Sequence, residues 1–481
     1  TIWITDNPCG HGIYVEPASA EAVMKKAVCV AAVVLFSGCS ALGPDYSAPD
    51  LNAPARFVGG GPSEGVRDAS VVPWWHGFDD PALNQLVSIG LSQNLDIQAA
   101  LERIVAAREN TRRFGVAQQI DGNTSLDARR SRASTGTATD TTNLNVDAFY
   151  VFDIFGEYRR SAEQSLADLE AAQFDAGTVK LAYLAELVSS YVLVRYYQAA
   201  ARITQDTIAS RRNTLETARQ RAEAQEGTQL EVAQARSLLA TAEASLPILT
   251  AQARVNTFRI ATLLNMPTGV LAQKLDQARA IPRPRMAMAS GVPADLLRNR
   301  PDIRASERRL ASATAAIGVS EAQLYPSLRL AGSVTAGDID TWSFGPTLSI
   351  PMFDRTSRSA ARNIALSDAR QAEIAYRNTF ITGIEEVQAS LTLTDARQSQ
   401  VTAYQQATSS ADRVLNLARR SYEAGVVTID DVLDAERTRL SNRLDLALAQ
   451  SEHAQAWVQL QVSVGKGWAY SISGGEALET Y

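Results

Sequence analysis

The sequence predicts a mainly α-helical protein with a smaller β part, a candidate for the membrane, built from two copies of one unit: helix, β-hairpin, very long helix, turn, helix. Three observations carry this. Prolines are absent between Pro81 and Pro247 and again after Pro351; a proline inside a helix costs about 3 kcal/mol, so such stretches permit very long helices. Two pairs of short segments alternate apolar and polar residues, the period of a strand. And the chain repeats itself. NLDIQAALERI from Asn94 returns as RPDIRASERRL from Arg300, with Asp96 and Asp302, Ile97 and Ile303, Arg103 and Arg309 each 206 residues apart. ARQRAEAQEGTQLEVAQA (218–235) returns as ARRSYEAGVVTIDDVLDA (418–435) at an offset of 200. Self-similarity in fixed order over the whole length is an internal duplication.

Taken in order, residues 1–23 contain no Met and read as an upstream extension outside the mature fold. Residues 24–38 read as a signal peptide: Met24-Lys25-Lys26 is the positive start, and AVCVAAVVLF (27–36) the short apolar core. LFSGC (35–39) resembles a bacterial lipobox, which implies cleavage before Cys39 and lipid on that residue. Several acyl chains would anchor the protein firmly, and Ser40 after the cysteine implies delivery to the outer membrane. The simpler alternative is an ordinary signal peptide with an incidental cysteine. Cys9 and Cys29 precede the cleavage point, so no internal disulfide is expected.

Pro49, Pro54, Pro62 and Pro73 punctuate residues 39–80, which read as an extended linker from the anchor. The first repeat follows over 81–265. Its strands are expected near 124–134 and 143–153. Leu144, Val146, Ala148, Tyr150 and Phe152 form the apolar set of the second; the first is the weakest pattern. Its long helices are expected over 157–225 and 228–264. The first spans 69 residues with Gly177 as its one glycine, roughly 100 Å at helical rise. A connecting segment covers 266–295. The second repeat, 296–464, has strands near 327–337 and 341–351 and long helices over 357–424 and 428–464. Leu328, Leu330, Val334 and Ala336 alternate with Arg329, Ala331, Ser333 and Thr335, and Trp342, Phe344, Leu348 and Ile350 with Ser343, Gly345, Thr347 and Ser349. Residues 465–481 form a tail. Helices of this length indicate coiled-coil-like packing.

Strands of about ten residues with one apolar face suit a membrane barrel, although the strand pattern alone fits an ordinary half-buried hairpin more simply. Four strands cannot close a barrel, and lipid tolerates no open sheet edge. If the hairpins cross a membrane, chains must pool them. Three copies supply twelve strands, and the duplication makes a pseudo-sixfold tube from a trimer.

Composition excludes several classes. The formal net charge is −6 and the basic residues are dispersed, so no nucleic-acid partner is expected. Three histidines, at 11, 76 and 453, stand far apart, and no Cys/His metal spacing exists. GGG at 59–61 lacks the lysine and helix start of a phosphate loop. No cofactor and no enzymatic activity are expected. One acidic cluster stands out. In YEAGVVTIDDVLDAER (422–437) the chain turns at Gly425 and a helix begins near Thr428. Asp431 and Asp434 share a face, and Asp430 is rotated about 100° away. Acidic residues in a first turn suit the helix dipole, and Arg437 can pair with Asp434.

Together these features resemble the outer-membrane factor family, the TolC-like and NodT-type lipoprotein channels of tripartite efflux pumps. The resemblance covers nearly all of 39–468. It rests on Trp74-Trp75 with FDDPALNQLV (78–87), on LLRNRPDIRASERRLASATAAIGVSEAQLYPSLRLAGS (296–333), on GPTLSIPMFD (345–354) with its echo YVFDIFGEYRR (150–160), and on GKGW (465–468). It implies a homotrimer with a twelve-stranded outer-membrane β-barrel continued by a long periplasmic α-helical barrel. It also implies a periplasmic adaptor (membrane fusion protein) and an inner-membrane transporter of RND type. The subunit would then be a passive, gated duct for drugs and other toxic small molecules. The matching aspartates of the family, here Asp431 and Asp434, face the lumen at the periplasmic tip, and Tyr422 matches a gate-contact tyrosine. The sequence departs from the family at Arg355-Thr356-Ser357, at Gln225, at the tail after Trp468, and at Val427, where some members carry an arginine of the closing network. The alternatives are the exit channel of a protein-secretion or metal-export system, or a helical periplasmic tether without a pore. Met is scarce and His dispersed, which speaks against metal export.

Overall fold

The structure, a computed structural model, describes residues 41–51, 69–285 and 299–470, apart from 115, 133, 135, 137 and 339. Cys39 and the tail beyond Tyr470 lie outside the described residues. Helices α1 (Pro81–Gln93) and α2 (Leu95–Arg113) lead into strands β1 (Ile120–Arg132) and β2 (Ala138–Phe152). Then come α3 (Glu157–Glu223), α4 (Gln229–Leu263) and α5 (Thr268–Leu275). The second unit is α6 (Pro301–Ala322), β3 (Ser327–Ala336), β4 (Thr341–Ser349), α7 (Arg355–Glu423) and α8 (Ile429–Ser463). α3 packs along α4, α7 along α8, and α3 also along α6 and α8, which joins the two units side by side.

Local chemistry sets these boundaries. Asp80 accepts from the amides of Ala82 and Leu83 to start α1. Asn94 accepts from the Ile97 amide to start α2, while its side chain donates to the Leu263 carbonyl across the fold. α7 begins at Arg355, two residues before the expected start, so the departure at Arg355-Thr356-Ser357 is absorbed as a first helical turn. Pro247 lies inside α4 on an exposed side, where it removes one backbone hydrogen bond without ending the helix.

Three expectations are corrected. β1 and β2 begin at Ile120 and Ala138, ahead of 124 and 143. Asp121, Gly122 and Asn123 are poor strand formers, but pairing with Phe149, Ala148 and Asp147 holds them in the ladder. The connecting segment 266–295 contains α5, whose Leu271 and Leu275 are buried. The reading of 39–80 as an extended linker fails wherever that segment is described. Trp74 and Trp75 are buried at the centre of the main core with Phe78, Leu184, Leu187, Tyr191, Ile260 and Trp457. Residues 41–51 lie along the helices next to the sheet. There Arg160, itself buried, donates to the carbonyls of Leu42 and Gly43 at 3.0 and 3.3 Å and to Asp45 at 2.7 Å. Gly43 and Gly318 lie back to back; a Cβ on Gly43 would stand 2.5 Å from the Gly318 Cα. One window of α3 is apolar enough to cross a membrane, but its Leu184, Leu187, Val188 and Val192 are fully buried in this core.

The C-terminal stretch seals the same core. Trp468 packs on Phe174, Tyr470 on Trp75, and Lys180 donates to the Tyr470 carbonyl. Burial pulls the Lys180 ammonium down from 10.5 to about 8. Below pH 8 both folded and unfolded chains hold this proton, and the cost of burying it is fully present. Between 8 and 10.5 the fold releases it first, so stability rises with pH across that window. Thermal unfolding of a Lys180→Met variant is therefore expected to lose this rise; an unchanged slope would remove Lys180 as its cause.

Candidate functional site: the two-faced sheet and the helix-pair tip

The four strands form one antiparallel sheet in the order β1-β2-β3-β4. Its register sorts the side chains. Tyr150 lies opposite Ile120 and Leu330, Val146 opposite Val334, and Val334 opposite Trp342. These, with Leu126, Leu144, Phe152, Leu328, Phe344 and Leu348, occupy one face. On the other face Asp147 lies opposite Asn123 and Ser333, Asn145 opposite Ser125 and Thr335, and Arg329 opposite Thr347. The apolar face is bare: Ile120 is 69 %, Trp342 80 % and Phe344 70 % exposed. The polar face is laced by its own hydrogen bonds, Ser333 with Ser343 at 2.7 Å, Thr335 to Asn145 at 2.8 Å and Asn145 to Asp127 at 3.0 Å. Leaving large apolar side chains outside and satisfying polar ones inside inverts a water-soluble design. Among the described residues the outer edges of β1 and β4 carry no partner strand.

At the far end of the long helices, each pair turns by the same geometry. Gly425 has φ 70° and Gln225 φ 63°. Val426 donates to the Ser421 carbonyl at 2.8 Å and Glu226 to the Arg221 carbonyl at 2.9 Å. Gln225 thus adopts the left-handed conformation that glycine takes in the second copy. Thr228 accepts from the Glu231 amide, while Asp431 accepts from the Thr428 amide at 3.0 Å and hydroxyl at 2.9 Å.

Asp430, Asp431 and Asp434 are exposed at this tip, and Asp434 pairs with Arg437 at 2.5 Å. Tyr422 is buried and apart from them. Its ring lies under the Arg221 guanidinium, 4.6 Å away; Arg221 donates to the Tyr422 carbonyl at 2.5 Å, and the Tyr422 hydroxyl donates to Glu231 at 3.4 Å. Burial, then the Glu231 carboxylate, push the Tyr422 hydroxyl up. Helices α3, α4 and α7 therefore meet on one tyrosine. Val427 packs against the apolar cluster of the tip, and the cation over Tyr422 is Arg221. Arg221 and Glu231 were not singled out from sequence, although Glu231 stands 200 residues before Asp431 and could have been found from that offset. Cys39 lies outside the described residues. Ala41, two residues on, packs against Gly156 at the β2–α3 junction, where a Cβ would stand 2.5 Å from it. Among the described residues no group of His, Cys, Asp and Glu side chains could hold a metal ion.

A sheet bare on one face, open at both edges and seated on long paired helices defines a channel-forming class of outer-membrane protein. The chain belongs to the outer membrane efflux protein family, matched over residues 86–266 and 292–466. It is 34 % identical to nodulation protein T of Rhizobium leguminosarum bv. trifolii over 450 residues, 90 % of this chain and 96 % of that one. It is 30 % identical to the pyoverdine export outer membrane protein OpmQ of Pseudomonas putida over 415 residues, 82 % of this chain and 88 % of that one. Among solved structures it is similar to the outer-membrane channel OprN, with 32 % identity and a TM-score of 0.80 over 89 % of this chain and 99 % of that one.

Proposed function

We propose that the chain is one third of a passive exit duct in the outer membrane, the last component of a tripartite pump that expels small toxic molecules. The two-faced sheet carries this reading. A single chain cannot hide its open edges from lipid, and three chains joined β4 to β1 would close twelve strands around the polar face. The duplication supports the same count. α3 packs along α8 within the chain, while the equivalent pair, α7 and α4, do not pack on each other. They would meet across the boundary between chains. The energy and the choice of cargo would belong to an inner-membrane transporter of RND type, reached through a periplasmic adaptor. The subunit itself would do no chemistry. Reconstitution of the lipidated protein into planar bilayers tests the proposal: stepwise conductance is expected, and insertion without conductance would favour a periplasmic tether.

The lipid anchor on Cys39 fits the position of Ala41. Two residues reach about 7 Å, so lipid carried on Cys39 would be compatible with Ala41 packing at the β2–α3 junction. At the opposite end, three copies of Asp431 and Asp434 would ring the periplasmic mouth. Crowded carboxylates there would attract cations. Asp431→Ala combined with Asp434→Ala should weaken block by multivalent cations added on the periplasmic side, and undiminished block would refute their place in the lumen. Tyr422, held between Arg221 and Glu231, would serve as a gate contact.

A further inference from the structure

The apolar face of the sheet carries charge at one end alone. Along β1 and β2, strand alternation continues the row of Leu126 and Leu144 to Arg130, Arg132 and Asp140. Among the described residues every other position of that face, on all four strands, is uncharged. The three charges also stand beyond the reach of the second hairpin, because β3 stops at Ala336, opposite Leu144. Arg132, opposite Ala138, lies six residues past Leu126, about 20 Å further along the strand.

Their height follows from the strands. From Leu144 to Phe152 the uncharged face of β2 runs eight residues, about 26 Å along the strand and ~20 Å in height at the tilt of a membrane barrel. That nearly fills the apolar band of such a barrel, about 25 Å. α3 leaves the sheet just after Phe152, so the arginines occupy the end away from the long helices. Arg130 and Asp140 face each other across the ladder, Nε 3.4 Å from Oδ1, and both are exposed. A pair so exposed is weak and readily exchanged. Arg132 is exposed and has no ion-pair partner among the described residues. Two arginines against one aspartate leave the patch positive. Guanidinium groups hold phosphate oxygens through two parallel hydrogen bonds, in a way a point charge does not.

We propose that Arg130 and Arg132 form a docking site, on the outside of the duct, for the headgroup phosphates of the glycolipid that builds the outer leaflet. This rests on the membrane barrel proposed above. Continuity with the lipid-facing surface selects the occupant: acyl chains of the same molecule lie over Leu126 and Leu144 while its phosphates reach the two arginines. Asp140 competes with those phosphates for Arg130 and moderates the attraction.

The test reconstitutes the full lipidated protein in phosphatidylethanolamine vesicles holding graded fractions of bisphosphorylated lipid A, or of the same lipid stripped of its phosphates. Native mass spectrometry counts the glycolipid retained per chain, and heat-modifiable mobility on gels reports insertion. Arg130→Gln with Arg132→Gln should lower the apparent affinity for bisphosphorylated lipid A roughly 30-fold at low salt, since each arginine near an anionic lipid surface counts for about fivefold. Binding of the stripped lipid should not change. Arg129→Gln makes the same change of charge on the opposite face, where Arg129 lies opposite Thr141, and should alter neither. An unchanged affinity in the double variant, or an equal loss in Arg129→Gln, would overturn the proposal. Asp140→Asn decides independently of whether the double variant inserts: it should strengthen binding of the bisphosphorylated lipid, and unchanged or weaker binding would overturn the proposal as well. A parent protein that shows no heat-modifiable insertion before lipid A is added would instead remove the barrel on which the site rests.

Discussion

Phe344→Arg should prevent insertion into the outer membrane, whereas Ser343→Arg, one residue away, should be tolerated. Phe344 stands mid-strand on the apolar face of β4, opposite Gly332, and is 70 % exposed. An arginine facing lipid near the middle of a barrel costs roughly 2–4 kcal/mol, and a trimer would meet that cost three times. Ser343 faces the opposite side, where it bonds Ser333 and neighbours other polar groups. An arginine there would project into water and lose one hydrogen bond. Fractionation of outer membranes, with heat-modifiable mobility on gels as the folding readout, separates the two variants. Equal insertion of both would mean that the apolar face does not meet lipid.

The second large effect is expected at Trp457→Ala. This side chain of α8 is 2 % exposed and stands edge-on to Trp74 at 5.9 Å and to Phe78 at 4.9 Å, in the cluster that also takes Leu184 and Leu187 from α3. It therefore joins the docked N-terminal stretch, the first unit and the second. Truncating a buried tryptophan costs about 3–5 kcal/mol through lost transfer energy and a residual cavity. Thermal unfolding should fall markedly, and proteolysis should attack first near Trp74-Trp75, whose cover has gone. A loss below about 1 kcal/mol would mean that the three parts are held together elsewhere.

The long helices were legible because their signal is local. Missing prolines, strong helix formers and glycines at the turns fixed each end to within about two residues, since every turn of a helix is specified by its own neighbours. β3 and β4 were legible for the same reason: the alternation of Leu328, Leu330 and Val334 with Arg329, Ala331 and Ser333 is visible without a partner strand. β1 was not, because Asp121, Gly122 and Asn123 become strand only through β2. Trp74 and Trp75 read as part of a linker because the proline and glycine around them are local, while the helices that bury them lie over a hundred residues away. At the tip, sequence pointed to Tyr422, Asp431 and Asp434 and placed their turn correctly. It missed Arg221 and Glu231, which reach Tyr422 from other helices.

All of this turns on whether chains pool their strands. The most direct measurement is the detergent-corrected mass, by light scattering, of the lipidated protein extracted from outer membranes. Three chains per particle is the predicted result, because three four-stranded sheets joined edge to edge leave no open ladder in lipid. A stable monomer would contradict the account, since the free edges of β1 and β4 would then have to sit elsewhere than in the membrane.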